Sequence, residues 1–235
     1  MHRRVSAFIG YTIEAPDGKV GSVSDVLFED DTWKLRWFVI DTGPWLAGRK
    51  ILIHPESVGR PDIRQRAFPV TLMKSEVEAG PTISSDPPVA LQMDPMQDDS
   101  YFLGPILGAD YDGSYGSTLS GRPISDSNAR QLQGSAPIGD PHLRSLSEVT
   151  GYHIHALDGD IGHLEDFLVD DESWKIESAV VNTKNWGFGT HVLVSHEDIK
   201  GVYWSEREIF LQLTRYKIKS SPSWKEPDFS DLPAH

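Results

Sequence analysis

Gly10-Tyr11-Thr12-Ile13-Glu14-Ala15-Pro16-Asp17-Gly18-Lys19-Val20-Gly21 is matched by Gly151-Tyr152-His153-Ile154-His155-Ala156-Leu157-Asp158-Gly159-Asp160-Ile161-Gly162. The offset, 141 residues from Gly10 to Gly151, holds without a gap from Arg3/Arg144 to Pro81/Pro222. Asp25/Asp166, Asp30/Asp171, Trp33/Trp174, Lys34/Lys175, Thr42/Thr183, Trp45/Trp186, Glu56/Glu197 and Arg66/Arg207 fall in the same register. Two tryptophan pairs in register identify an internal duplication, and a duplication is read before any single element.

Each copy reads as strands. Tyr11, Ile13 and Ala15 alternate with Thr12 and Glu14, the period of a strand with one buried face. Asp17-Gly18 and Asp158-Gly159 mark hairpins, because glycine accepts positive φ freely and aspartate tolerates it. Val20 to Glu29 forms a second strand, and Gly21 and Gly162 inside it mark a bulge or barrel corner. Trp33 to Ile40 and Trp174 to Val181 are expected as third strands, Ile51–Ile53 and Val192–Val194 as fourth. Arg207 to Leu213 is the fifth; its counterpart Arg66 to Leu72 holds Pro69 and belongs at an edge. Thr214 to Ser221 predicts a short closing helix with Thr214 as N-cap. The fold expected is all-β: two small β-barrels in tandem with a short C-terminal helix per copy. Domains of about 80 residues are marginal alone, so packing about a pseudo-twofold axis is expected to stabilise both.

The pattern Gly-Tyr-x-Ile, Asp-Gly-x-x-Gly-x-x-x-Asp-x-Leu-x-x-Asp, then Trp-Lys-x-x-x-x-Val-x-x-Thr and a short aliphatic strand resembles the PRC-barrel domain, over residues 3–81 and 144–222. The family includes the cytoplasmic domain of the photosynthetic reaction-centre H subunit and the C-terminal domain of the ribosome-maturation factor RimM. The resemblance implies a docking module and no enzyme. The chain lacks the H subunit's transmembrane helix and a recognisable RimM N-terminal domain, so neither of those roles is implied.

Composition narrows the classes further. The net charge is −13 and cysteine is absent. Residues 3–81 are neutral, 82–143 carry −6, 144–222 carry −5 and 223–235 carry −2. Such a chain is repelled by phosphate backbones, so nucleic acid is not an expected partner. Thiolate catalysis and cysteine-ligated metals are excluded. No apolar run is long enough for a membrane span, and the N-terminus lacks a signal-peptide pattern, so a cytoplasmic location is expected. Residues 82–143, rich in Pro, Gly, Ser and Asp, read as a polar linker carrying Tyr101-Phe102-Leu103, Tyr111 and Tyr115; 223–235 read as a tail with Trp224 as an anchor.

Three sets of residues are candidates for function. Trp45 and Trp186, in Gly-rich loops, have the character of binding hot spots, whereas Trp33 and Trp174 are expected to plug the barrels. The acidic turns Asp30-Asp31 and Asp171-Glu172 are candidate docking surfaces for a basic protein, and lack calcium-loop spacing. His153 and His155 share a strand face, with His163 across the hairpin; they offer an alternative reading as a metal- or small-ligand sensor. No catalytic motif is present, and no cofactor or structural metal is expected. A protein partner is expected, with homo-oligomerisation left open.

Overall fold

The computed structural model describes residues 1–46, 48–93, 139–183 and 191–223. Within them the first repeat forms a sheet in the order β5-β4-β3-β2-β6, from β2 (Thr12–Ala15), β3 (Gly18–Glu29), β4 (Leu35–Asp41), β5 (Lys50–Ile53) and β6 (Ala67–Pro69). The second forms β11-β10-β9-β8-β13-β12, from β8 (His153–Ala156), β9 (Gly159–Asp170), β10 (Ile176–Asn182), β11 (His191–Ser195), β12 (Ile199–Tyr203) and β13 (Glu208–Leu211). Pro69 lies in the edge strand, as its missing N–H requires, and β6 joins β2 in parallel. The expected corner is at Gly21 and Gly162. A Cβ there would sit 2.2 Å from the Asp41 carbonyl oxygen and 2.0 Å from that of Asn182, so only glycine lets the next strand bend so close.

Short helices close each repeat: α1 (Lys74–Glu78) and, late in the chain, Arg215–Lys219. Thr214 caps the latter by accepting from the Lys217 N–H at 3.4 Å. The hairpin aspartates have a second role. Asp17 accepts from the Lys74 N–H at 3.0 Å, and Asp158 from that of Arg215 at 2.7 Å, so the hairpin tip satisfies the first helical donor in both copies.

The repeats exchange their first strands. β3 and β9 each span twelve residues, three times the length of the hairpin partner. Their second halves would stand as unpaired edges. β7 (Leu143–Ser145) fills the first, pairing with Leu27–Glu29, and β1 (His2–Arg4) fills the second, pairing with Leu168–Asp170. Each sheet therefore contains a strand from the other repeat. A further reciprocal pair marks the pseudo-twofold axis: the Leu35 N–H donates to the Trp174 carbonyl at 2.9 Å, and the Ile176 N–H to that of Trp33 at 2.7 Å, around the Lys34–Lys175 bridge.

Side chains cross with the strands. Trp33 and Trp174 adopt φ of 56° and 57°, so they form the turn and the strands begin two residues later than the sequence pattern suggests. They plug barrels as expected, but across the axis. The Trp174 ring packs on Phe8, Phe38 and Phe68 of the first repeat, with centroids 5.7, 5.2 and 6.1 Å away. Trp33 packs on Phe167 and His196 of the second, both at 5.9 Å, and on its own Phe28. One hydrophobic core thus runs through both repeats.

The described ends of the linker lie on the outer face of the first barrel. Leu143 and Ile83 cover Leu27, Val39 and Leu52, and Asp86 accepts from the Trp37 indole at 2.7 Å. Gln92 donates to the Asp140 carbonyl at 2.9 Å, so the chain leaves and returns at one place. Tyr101, Phe102, Leu103, Tyr111, Tyr115 and Trp224 lie outside the described residues.

Candidate functional site

The acidic turns face inward, to the exchanged arms. The Arg144 guanidinium donates to Asp30 at 2.6 Å, and the same carboxylate meets the His142 ring at 2.8 Å. Symmetrically, Arg3 donates to Asp171 at 2.7 Å, where the Met1 ammonium also sits, at 2.8 Å. Arg144 and Asp30 are both about nine-tenths buried, their side chains 10% and 9% exposed. Asp30 and Asp171 therefore clamp the arms, and their carboxylates are engaged within the chain. Asp31 remains on the surface, bonded to the Thr32 N–H, and Glu172 pairs at the surface with Arg60.

A second symmetric clamp lies one turn along. Asp25 accepts from the Ser145 and Ser147 hydroxyls at 2.6 and 2.7 Å, which holds the short helix Leu146–Val149 of the second arm. Asp166 accepts from the Ser6 N–H at 3.2 Å and from its hydroxyl, which holds the turn Val5–Phe8 of the first arm. Burial pushes the Asp166 carboxyl upward, against the hydrogen bonds from Ser6 and the Phe167 N–H. The repeat places Asp25 and Asp166 in register, and strand alternation alone does not show that each bonds to the opposite copy. Repetition of Ser6 as Ser147 is the signal that pairs them.

An exposed aromatic lies at the hairpin end of the first barrel. Thr42 is buried and donates to the Leu46 and Arg49 carbonyls at 3.2 and 3.1 Å, fixing the loop that carries Trp45. The Asp41 carboxylate accepts from the Gly43 N–H at 2.8 Å and starts the turn Gly43–Leu46. Trp45 is held 38% exposed, with the Lys74 ammonium 5.5 Å from its ring centroid and Met73, 45% exposed, preceding that lysine. A cation held over an indole beside an exposed thioether makes an amphipathic contact face. Trp186 lies outside the described residues. At the hairpin end of the second barrel, Leu157 and Tyr216 are exposed, on either side of the Asp158 helix cap.

His153 and His155 share the outward face of β8, as expected, but His155 is engaged elsewhere: its ring nitrogens lie 2.5 Å from Asp160 and 3.3 Å from Glu208, and its ring stacks on Phe210. His153 and His163 are direct cross-strand partners with ring centroids 4.5 Å apart. The trio thus reduces to a pair, and among the described residues no group of three His, Cys, Asp or Glu side chains is placed to hold a metal.

One buried titratable group stands apart. Glu148 lies on the arm helix Leu146–Val149 and accepts from the Tyr152 hydroxyl, while its other oxygen is buried without a partner among the described residues. Burial raises its pKa to about 7, against the pull of Arg144 and Arg207.

Residues 2–77, which hold the four-residue strand, the tight Asp-Gly hairpin and the twelve-residue strand bent at a glycine, match the family model of the PRC-barrel domain. The first repeat is a PRC-barrel domain. The match ends within α1 and does not extend to the second repeat, whose β8-β9-β10-β11 order and reciprocal contacts repeat those of the first PRC barrel. No curated protein is similar to the chain. No helix among the described residues is long and apolar enough to cross a membrane.

Proposed function

We propose that the chain is a non-enzymatic docking module of the cytoplasm, which presents a protein-binding face on a fused pair of PRC barrels. The observation that carries this is Trp45: a large aromatic fixed at the surface by a buried threonine, flanked by Met73 and Lys74. Exposed aromatics on rigid supports lose little entropy on binding and dominate interface energetics. Trp33 and Trp174, by contrast, are buried in the shared core. The membership of the first repeat in a family of interaction domains supports the same reading.

The test is native mass spectrometry of the tagged chain purified from its own host, with wild type beside the W45A/W186A double variant. A stoichiometric protein partner that is lost in the variant, while the melting temperature stays within about 2 °C, is the expected result. Undiminished binding by the variant would refute the assignment of the face. Lost stability with intact binding would place these rings in the core.

A further inference from the structure

His153, His163, Asn182 and His191 are successive cross-strand partners on β8, β9, β10 and β11, so they form one row across the second barrel. They face outward, because their neighbours Ile154, Leu164, Val181 and Val192 are buried. The equivalent row in the first barrel is Thr12, Ser22, Asp41 and Lys50, so barrel architecture does not call for histidine there. His191 is fixed by Glu165, with Nε2 2.6 Å from the carboxylate, which also binds Asn182 and Arg4 of the exchanged arm at 3.0 Å each. His153 and His163 have no hydrogen bond or ion pair among the described residues; each has the other's ring.

We propose that His153 and His163 form a two-imidazole site for a borderline divalent transition metal: zinc, nickel or copper. Zinc–nitrogen bonds of about 2.0–2.1 Å at a tetrahedral angle place two ring centres about 5 Å apart, close to the 4.5 Å observed. The paired strands fix both β-carbons, so the second imidazole binds at high effective concentration. Of the nearby carboxylates, Glu165 is engaged by His191, Asn182 and Arg4, Asp160 by His155, and Glu208, the cross-strand partner of His153 on β13, lies 3.3 Å from His155. Water fills the remaining positions, which leaves the metal open to a further ligand. Imidazole donors favour these metals over magnesium or calcium. The site lies on the second barrel and does not depend on the Trp45 face of the first.

The first barrel supplies the conservative replacements, Thr and Ser at these two positions. The full chain, stripped with EDTA and dialysed, is titrated with zinc and with nickel by calorimetry, and the histidine ring protons are followed by NMR. Wild type is expected to bind one ion per chain, with the His153 and His163 resonances shifting together. H153T, H163S and the double variant are expected to bind about a hundredfold more weakly, the loss of the tethered second donor. H155A and H191A are expected to bind within about twofold of wild type, since neither ring belongs to the pair. Circular dichroism confirms that each variant folds. No binding by the wild type, or binding by H153T/H163S as tight as wild type, would overturn the proposal.

Discussion

Replacing Trp174 by alanine tests whether the two repeats are one folding unit. The ring is 9% exposed and belongs to the second repeat, yet its aromatic neighbours Phe8, Phe38 and Phe68 all belong to the first. A buried tryptophan cut to alanine costs about 3–5 kcal/mol, from lost transfer free energy and the cavity left behind. Domains of this kind have roughly 5–15 kcal/mol in all, so the loss is large. Because the cavity opens inside the first barrel, the protection of β4 and β6 against amide exchange should fall with the global stability. Urea unfolding should remain a single transition, moved to lower denaturant with an unchanged slope. Trp33→Ala should do the same to the second barrel, where its ring meets Phe167 and His196. The reasoning fails if Trp174→Ala leaves exchange in Phe38 and Phe68 at wild-type rates, or if two transitions appear and only that of the second repeat shifts.

Other perturbations probe the same design. Asp30→Ala leaves the Arg144 guanidinium nine-tenths buried without its carboxylate and should cost about 3–5 kcal/mol in chemical denaturation, whereas Glu172→Ala, which breaks the exposed pair with Arg60, should cost under about 1 kcal/mol; equal effects would contradict the burial argument. Gly21→Ala and Gly162→Ala each force a methyl against a carbonyl oxygen and should lower stability by about 2 kcal/mol or more, read as a drop in melting temperature. Glu148 should make the protein less stable as pH rises: its carboxyl titrates near 4.5 when unfolded and at about 7 when folded, so its contribution is complete below 4.5 and lost through 7. The shift corresponds to about 3 kcal/mol, reduced to about 1–2 kcal/mol because the group is only half buried. Glu148→Gln should therefore gain on wild type between pH 5 and pH 8, and parallel stability profiles would exclude the effect.

The sequence carries the strands of each barrel plainly, because alternation, Asp-Gly turns and in-register tryptophans are local signals. It also carries the edge position of Pro69 and the corner at Gly21, which follow from what those residues lack. The exchange is not local. His2–Arg4 and Leu143–Ser145 have no strand-like alternation of their own; they pair because β3 and β9 are longer than their hairpin partners. Period-2 reading gives the face of a side chain but not which copy lies opposite, so Asp30 and Asp171 read as free acidic turns while they clamp Arg144 and Arg3. His155 shows a similar limit. Its spacing from His153 correctly puts both on one face of the strand, but spacing does not show that His155 is taken up by Asp160, Glu208 and the Phe210 ring.

The positions that join the repeats are those the repeats share. Asp25/Asp166 with Ser6/Ser147, Asp30/Asp171 with Arg3/Arg144, and Trp33/Trp174 form reciprocal contacts across one axis. A contact made twice across a twofold constrains both copies alike, because one residue serves each barrel. The outward row is under no such constraint: Thr12, Ser22, Asp41 and Lys50 stand where the second barrel has His153, His163, Asn182 and His191. Fusion of two barrels into one chain is what permits this asymmetry, since a homodimer of a single repeat must present the same row on both sides. The tandem therefore keeps one shared core while the outward rows differ: Thr12 and Ser22 on the first barrel, and paired imidazoles at the same positions on the second. If that is the purpose of the duplication, fragments 1–93 and 139–223 should be poorly structured apart and should recover the native circular dichroism when mixed, because each holds the strand and the tryptophan that complete the other. Two independently folded fragments with no change on mixing would remove the basis for this account.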